Sequence, residues 1–411
     1  MSNRVLETGG RGRWWLNWRT WGGIAALAAA ILVVATLNQA TPRLALFLIF
    51  GLAFGFVLQR SRFCFASAFR DLFLLRDGRV MKGILAGLAV ATVGFAVIMY
   101  NLAPDLGLGE LPAASYVVPL GFHLLLAGVI FGVGMVVAGG CIAGTFYRIG
   151  EGYVVFVVTL VGILAGMGLL LHNWNWWWQG YISALPEVWL PHSLGWVGAI
   201  LLTLAVLLIV YLLIRRWESG GGGIARPVYS EPKAATPRDI LGSLRRVVLG
   251  RAWPIIFAGI VLGALNTFEY LFAERPWGLT GEVSRWSGNL LNLVQLPPPE
   301  VIATPGACAI GGTATGVLLW GFMINGGIIF GAFIGALLSG EFKLRLPKQK
   351  RRYLQGFIGG ALVGYGAGLA AGCTIGGFFS SVPSLGLNGF VFGGALAIGA
   401  LLGVQVIKRI G

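Results

Sequence analysis

Uncharged apolar stretches of about 20 residues recur along this 411-residue chain, and they decide most of what it can fold into. A helix needs roughly 20 apolar residues to cross the hydrocarbon core of a bilayer. Ten such spans are expected, near 21–39, 43–59, 80–101, 119–139, 152–171, 194–214, 254–273, 317–340, 354–371 and 387–407. Only 11% of the residues are charged and 57% are hydrophobic, whereas soluble domains carry roughly 25% charge. The fold class expected is therefore an all-α polytopic membrane protein, with the lipid bilayer as its first partner. Arg11, Arg13 and Arg19 precede the first apolar stretch as in a signal peptide, but no small-residue cleavage site follows, so it reads as a retained span.

Basic residues set the orientation. The N-terminal tail, the 60–82 segment, the 215–251 loop, the 341–352 loop and the C-terminal tail hold 4, 6, 8, 6 and 2 Lys or Arg, which is 26 of 30. All five fall on one side of a ten-span arrangement, as does Arg148. The positive-inside rule makes that side cytoplasmic, with both termini on it, and points to a bacterial inner membrane. It also accounts for the net charge of +15 without a nucleic-acid partner. The run His172-Asn173-Trp174-Asn175-Trp176-Trp177-Trp178 falls on the outer side and reads as an interfacial aromatic belt. Gly220 to Gly223, followed by Pro227, Pro232 and Pro237, marks a flexible linker between two halves.

Those halves resemble each other. Gly128, Gly132, Gly134, Ala138, Gly140, Cys141, Gly144 and Phe146 recur, shifted by 232 residues, as Gly360, Gly364, Gly366, Ala370, Gly372, Cys373, Gly376 and Phe378. Weaker echoes join Gly51 and Gly55 to Gly259 and Gly263, and Gly83 and Gly87 to Gly327 and Gly331. The first copy starts with the span at 43–59 and the second with the span at 254–273. Five spans separate the two starts, an odd number, so the copies are expected to run in opposite directions. Inverted repeats are an architecture of secondary transporters, with sites near the midplane at broken helices. The expected division is residues 1–42 as a tail and extra span, 43–192 as the first repeat, 193–252 as a linking helix and linker, and 253–411 as the second repeat.

Each repeat signature sets a glycine-rich helix before Gly-Cys-x-x-Gly. Glycine lets a helix break and exposes backbone N–H groups, here around Gly140, Gly144, Gly372 and Gly376, which together with the helix dipole can hold an anion. The Cys141 and Cys373 thiols are soft and polarizable, which suits a sulfur-bearing ligand better than a hard oxygen one. As small packing residues they would have no such role. Cys64 lies in Gln59-Arg60-Ser61-Arg62-Phe63-Cys64, where Arg60 and Arg62 either attract anions at the cytoplasmic mouth or anchor the span. Its repeat counterpart falls near Phe272, which is not a cysteine. Cys308 has no counterpart and reads as structural. Glu269 is the acid placed within a span, where a carboxylate is a functional candidate by default, although near the outer end of its span it would simply face water. No metal spacing, cofactor fingerprint or catalytic motif is visible, so no cofactor, metal or catalytic residue is expected.

At the Arg60-Ser61-Arg62-Phe63-Cys64 segment and the two Gly-Cys signatures, the chain resembles the YeeE/YedE family of membrane proteins. Pro276-Trp277-Gly278-Leu279-Thr280 carries the resemblance further, as does the run from Gly331-Ala332-Phe333 to Leu338-Ser339-Gly340-Glu341-Phe342. The resemblance spans roughly residues 43–407. It implies uptake of thiosulfate or another sulfur compound through an hourglass pore with cysteines along the path, here at Cys64, Cys141 and Cys373. It also implies a small cytoplasmic sulfur-carrier or rhodanese-like partner. The leading expectation is inner-membrane import of thiosulfate or a related sulfur oxyanion by a non-enzyme. The alternatives are transport of a selenium compound, a membrane sulfurtransferase carrying persulfide sulfur, and a scaffold without substrate.

Overall fold

The computed structural model describes residues 18–102, 111–112, 115–219, 253–299 and 319–410. The expected linker and Cys308 lie outside the described residues. Thirteen α-helices are described: α1 (Trp18–Ala40), α2 (Pro42–Ser61), α3 (Phe65–Leu74), α4 (Arg79–Leu102), α5 (Phe122–Ala138), α6 (Ile142–Gly150) and α7 (Val154–Gly180) in the first part. They continue with α8 (Leu190–Ser219), α9 (Ile255–Ala273), α10 (Thr280–Leu293), α11 (Leu319–Leu338), α12 (Arg351–Leu369) and α13 (Leu387–Ile410). A π-helical segment, Thr374–Ser380, follows α12 after a 48° bend. No strand occurs among the described residues beyond two isolated bridges. Nine helices are long and apolar enough to cross a membrane, or ten if the bent pair is one span. The fold is that of a multi-pass membrane protein, and each expected span coincides with one of these helices.

Glycine stripes bring the helices together. Helix α2 packs along α11, α4 along α9, α5 along α13 and α7 along α12, while α5 meets α12 and α2 meets α9. At α2–α11, a Cβ on Gly55 would strike the Ile328 carbonyl and one on Gly331 the Leu52 carbonyl. At α7–α12, a Cβ on Gly166 would strike the Ala361 carbonyl. Close backbone approach of this kind replaces the hydrophobic drive that lipid cannot supply. Helices α1 and α8 stand outside the pattern, α1 against α2 and α11, and α8 against α4.

One sequence expectation is extended and another changes. The tryptophan run is the last part of a single helix, α7, which runs on to Gly180. Trp174 is buried and stacks on Trp178, while Trp176 is exposed. Glu269 does not face water: it is fully buried, and neither carboxyl oxygen has a hydrogen-bond partner among the described residues. Its place explains this, because Leu262, Asn266, Glu269 and Tyr270 form one inward stripe of α9 at helical spacing.

Candidate functional site

Three of the helix breaks share one construction. Helix α2 ends at Arg62 (φ 53°), α5 at Gly139 (φ 77°), and α12 is followed by Ala371 (φ 49°). Each left-handed residue sits two positions before a cysteine: Cys64, Cys141 and Cys373. That cysteine occupies the N-cap position of the next short segment, α3, α6 or Thr374–Ser380. Left-handed backbone costs a non-glycine residue strain, so Arg62 and Ala371 are held there by their surroundings. The Cys141 sulfur accepts the Gly144 N–H at 3.4 Å, and the Cys373 sulfur accepts the Ile375 N–H at 3.4 Å.

The structure brings two of the thiols together with a hydroxyl from the opposite part. Cys64 and Cys141 lie within hydrogen-bonding reach of each other, and the Thr374 hydroxyl lies beside Cys141. The Thr280 hydroxyl, from the first residue of α10, lies beside Cys373. Thr280 thus stands to Cys373 as Cys64 stands to Cys141. Phe272, where the sequence placed the counterpart of Cys64, is exposed on α9. The register differs because the α9–α10 break takes six residues, 274–279, against three, 62–64, between α2 and α3. Neither threonine hydroxyl has a nitrogen or oxygen partner among the described residues, which leaves both free to meet an acceptor.

All three thiols are buried, at 1%, 0% and 0% exposure for Cys64, Cys141 and Cys373. Aromatic rings close the space around them. Trp277 stacks on Phe54 at 3.8 Å and meets Phe379 edge-on, and Phe379 in turn meets Phe65. Gly144 leaves the room in which the sulfurs converge, since a Cβ there would lie 3.2 Å from the Cys64 sulfur and 3.5 Å from that of Cys141. The long break is pinned by a polar knot. Asn266 accepts the Trp277 N–H at 2.9 Å and donates to Ser380 at 3.0 Å, while Ser380 donates to the Trp277 carbonyl at 2.8 Å. Replacing Asn266 with leucine would strand these buried groups and is expected to lower stability by about 1–3 kcal/mol, read as a fall in thermal midpoint.

Other expected site residues fall less simply. A Cβ on Gly140 would strike the Phe156 ring, and one on Gly372 would strike the Gly377 backbone. The Gly372 N–H is already used, because the turn at Ala371 folds the chain back and gives that proton to the Ala367 carbonyl at 2.9 Å. The Gly144 N–H is likewise given to Cys141. In this conformation neither of these two glycines offers a spare donor. Gly376 contributes a backbone contact to Cys373. Arg60 is buried and Arg62 exposed, and both form ion pairs with Glu341, at 3.6 Å and 3.3 Å. Among the described residues, no group of three or more His, Cys, Asp or Glu side chains could hold a metal ion.

Thr280 and Thr374 escaped the sequence reading because threonine is too common to stand out. The available signal was position: Thr374 directly follows a repeat cysteine, and Thr280 closes the Pro276–Thr280 segment.

A family described as sulphur transport matches residues 60–402. The thiosulfate transporter TsuA of Spirochaeta thermophila is 31% identical over 363 residues, covering 84% of this chain and 93% of that protein. The thiosulfate transporter TsuA of Escherichia coli is 28% identical over 333 residues, covering 80% and 84%. A probable transporter, YedE of Salmonella typhimurium, is 32% identical over 178 residues, covering 43% and 42%. With a family match over most of its length and a bundle of membrane-crossing helices, the chain belongs to the YeeE/YedE sulphur-transport family.

Proposed function

We propose that this protein imports thiosulfate, or a closely related sulfur oxyanion, across a bacterial cytoplasmic membrane through a central path lined by Cys64, Cys141 and Cys373. The observation that carries the reading is the meeting at Cys141, where a thiol of one broken helix reaches both Cys64 and a hydroxyl of the opposite broken helix. A thiosulfate ion has hard oxygens and one soft terminal sulfur. Thr280 and Thr374 would donate to the oxygens, and the three thiols would offer weak successive contacts to the sulfur. Sites that bind weakly and in series favour exit as much as entry.

The two halves are inverted in this reading. Exchanging α2 with α9, α3 with α10, α4 with α11, α5 with α12 and α7 with α13 turns the pair α2–α11 into α9–α4, and α5–α13 into α12–α7. It also turns α3–α13 into α10–α7, and all of these pairs pack together. The division into residues 43–192 and 253–411 follows, with α1 and α8 as additions. Both termini would lie in the cytoplasm by the charge rule. Moving a dianion inward against an inside-negative potential costs about 2.3 kcal/mol per charge per 100 mV. Coupling to a cation or rapid consumption of sulfur by a cytoplasmic carrier protein would offset that.

Uptake of radiolabelled thiosulfate into proteoliposomes tests the reading, with selenium oxyanions as competitors. Saturable uptake that sulfur oxyanions inhibit is the expected result. Transfer of label to a thiol acceptor while the oxyanion stays outside would replace it with a sulfurtransferase.

A further inference from the structure

A cavity of about 370 Å³ opens on the face that carries the basic segments, lined in part by Arg70, Arg148, Arg345 and Arg352. The four arginines come from four separate segments: α3, α6, the loop after α11 and the first turn of α12. No carboxylate lines the cavity among the described residues. Arg148 donates to the Gly139 carbonyl and to the Tyr147 hydroxyl, and sits over the Phe156 ring at 4.8 Å. Arg345 donates to the carbonyls of Glu151 at 3.0 Å and Glu341 at 2.9 Å, and covers the Tyr153 ring at 4.5 Å. Arg352 makes no ion pair among the described residues, and Arg70 pairs with Asp71 at 2.8 Å. Carbonyls and ring faces orient a guanidinium without cancelling its charge, whereas a carboxylate would cancel it. Glu151 acts on Arg148 and Arg345 from a distance, but its side chain bonds Gln59 and does not line the cavity.

The cavity adjoins the cysteine pair. The Gly139 carbonyl that Arg148 holds belongs to the break leading into Cys141, and the charge of Arg148 also acts on Cys64. We propose that this cavity is an oxyanion-binding vestibule, where a small tetrahedral dianion rests on Arg148, Arg345, Arg70 and Arg352 after passing Cys64 and Cys141. Its volume accommodates such an ion with part of its water shell. The proposal deepens the transport reading and rests on it for the identity of the ion and the direction of travel. A lipid phosphate shares the same chemistry, but the vestibule is assigned to the free ion because its inner wall is the backbone of the Cys141 break.

Binding of radiolabelled sulfate to purified protein tests this in phosphatidylcholine nanodiscs at low ionic strength. Sulfate has the charge and shape of thiosulfate without the terminal sulfur, so it probes the arginines apart from the thiols. Saturable binding is expected, and it survives Cys141→Ala. It weakens at least tenfold in the double variant Arg70→Gln with Arg352→Gln, and also in the single charge reversal Arg352→Glu, with elution profile and thermal midpoint unchanged. Binding equal to the parent protein in both arginine variants would overturn the proposal, as would loss of binding in Cys141→Ala. Nanodiscs containing phosphatidylglycerol form the second arm, where unchanged sulfate affinity is expected. Sulfate blocked by that lipid, with the block relieved in the arginine variants, would make the cavity a headgroup site and overturn it. A protein that binds sulfate here yet moves no thiosulfate would refute the transport reading and leave the vestibule in place.

Discussion

Replacing Cys141 with alanine is expected to lower thiosulfate uptake into proteoliposomes by about one to two orders of magnitude while leaving the fold intact. Cys141 is the thiol that lies beside both Cys64 and the Thr374 hydroxyl of the opposite broken helix. A hydrogen bond to a charged group contributes about 1.5–3 kcal/mol, and each 1.4 kcal/mol is about a factor of ten. On the proposed path, losing it removes a contact that the ion has no route around. The structural cost is small, because the sulfur caps α6 through a single 3.4 Å contact. Serine at the same position keeps the volume and a donor but lacks the soft sulfur, so Cys141→Ser should fall between alanine and the parent protein. Wild-type uptake in Cys141→Ala, at equal expression, would remove the thiol from the mechanism.

Replacing Gly259 with leucine should have the largest effect on stability. A Cβ on Gly259 strikes the Gly83 carbonyl, and one on Gly263 strikes the Gly87 carbonyl. The approach is mutual, since a Cβ on Gly87 would strike the Gly259 carbonyl. These are backbone-to-backbone contacts, so no rotamer change relieves them and α4 must move off α9. Overpacking typically costs about 1–3 kcal/mol, and a rigid crossing with leucine lies at or above the top of that range. Gly394→Leu provides the control, because open space surrounds Gly394 on α13. Thermal unfolding followed by size-exclusion fluorescence should show a large fall in midpoint and yield for Gly259→Leu and little change for Gly394→Leu. Equal behaviour of the two variants would contradict the packing described here.

The glycine echoes show how far a sequence can lead. Gly51 and Gly55 matched Gly259 and Gly263, and Gly83 and Gly87 matched Gly327 and Gly331, which reads as duplication. In the structure the same glycines are contact points, α2 with α11 and α9 with α4. Long apolar runs mark spans plainly because a bilayer tolerates little else, so the ten spans were legible. Segments α3, α6, α10 and Thr374–Ser380 were not, because seven to fourteen residues of mixed polarity look like loops. They are helical because the surrounding protein satisfies their ends, a tertiary effect that leaves no periodic trace. The cysteines stood out because there are four in the chain. Thr280 did not, although it occupies an equivalent place, since a hydroxyl can do similar work without being rare. Arg148 and Arg345 were visible as topology markers, and the cavity that they share with Arg70 and Arg352 is invisible without the fold.

Thiol protection during turnover tests most directly whether a sulfur oxyanion passes these cysteines. In a Cys308→Ala background, reconstituted protein would be treated with a small anionic thiosulfonate reagent, and modification of each cysteine read by peptide mass spectrometry. Modification of Cys373, Cys141 and Cys64, slowed at each position by saturating thiosulfate and accompanied by loss of uptake, is the expected result. Full uptake after all three thiols have been modified, or no protection by thiosulfate at any of them, would place the path elsewhere in the protein.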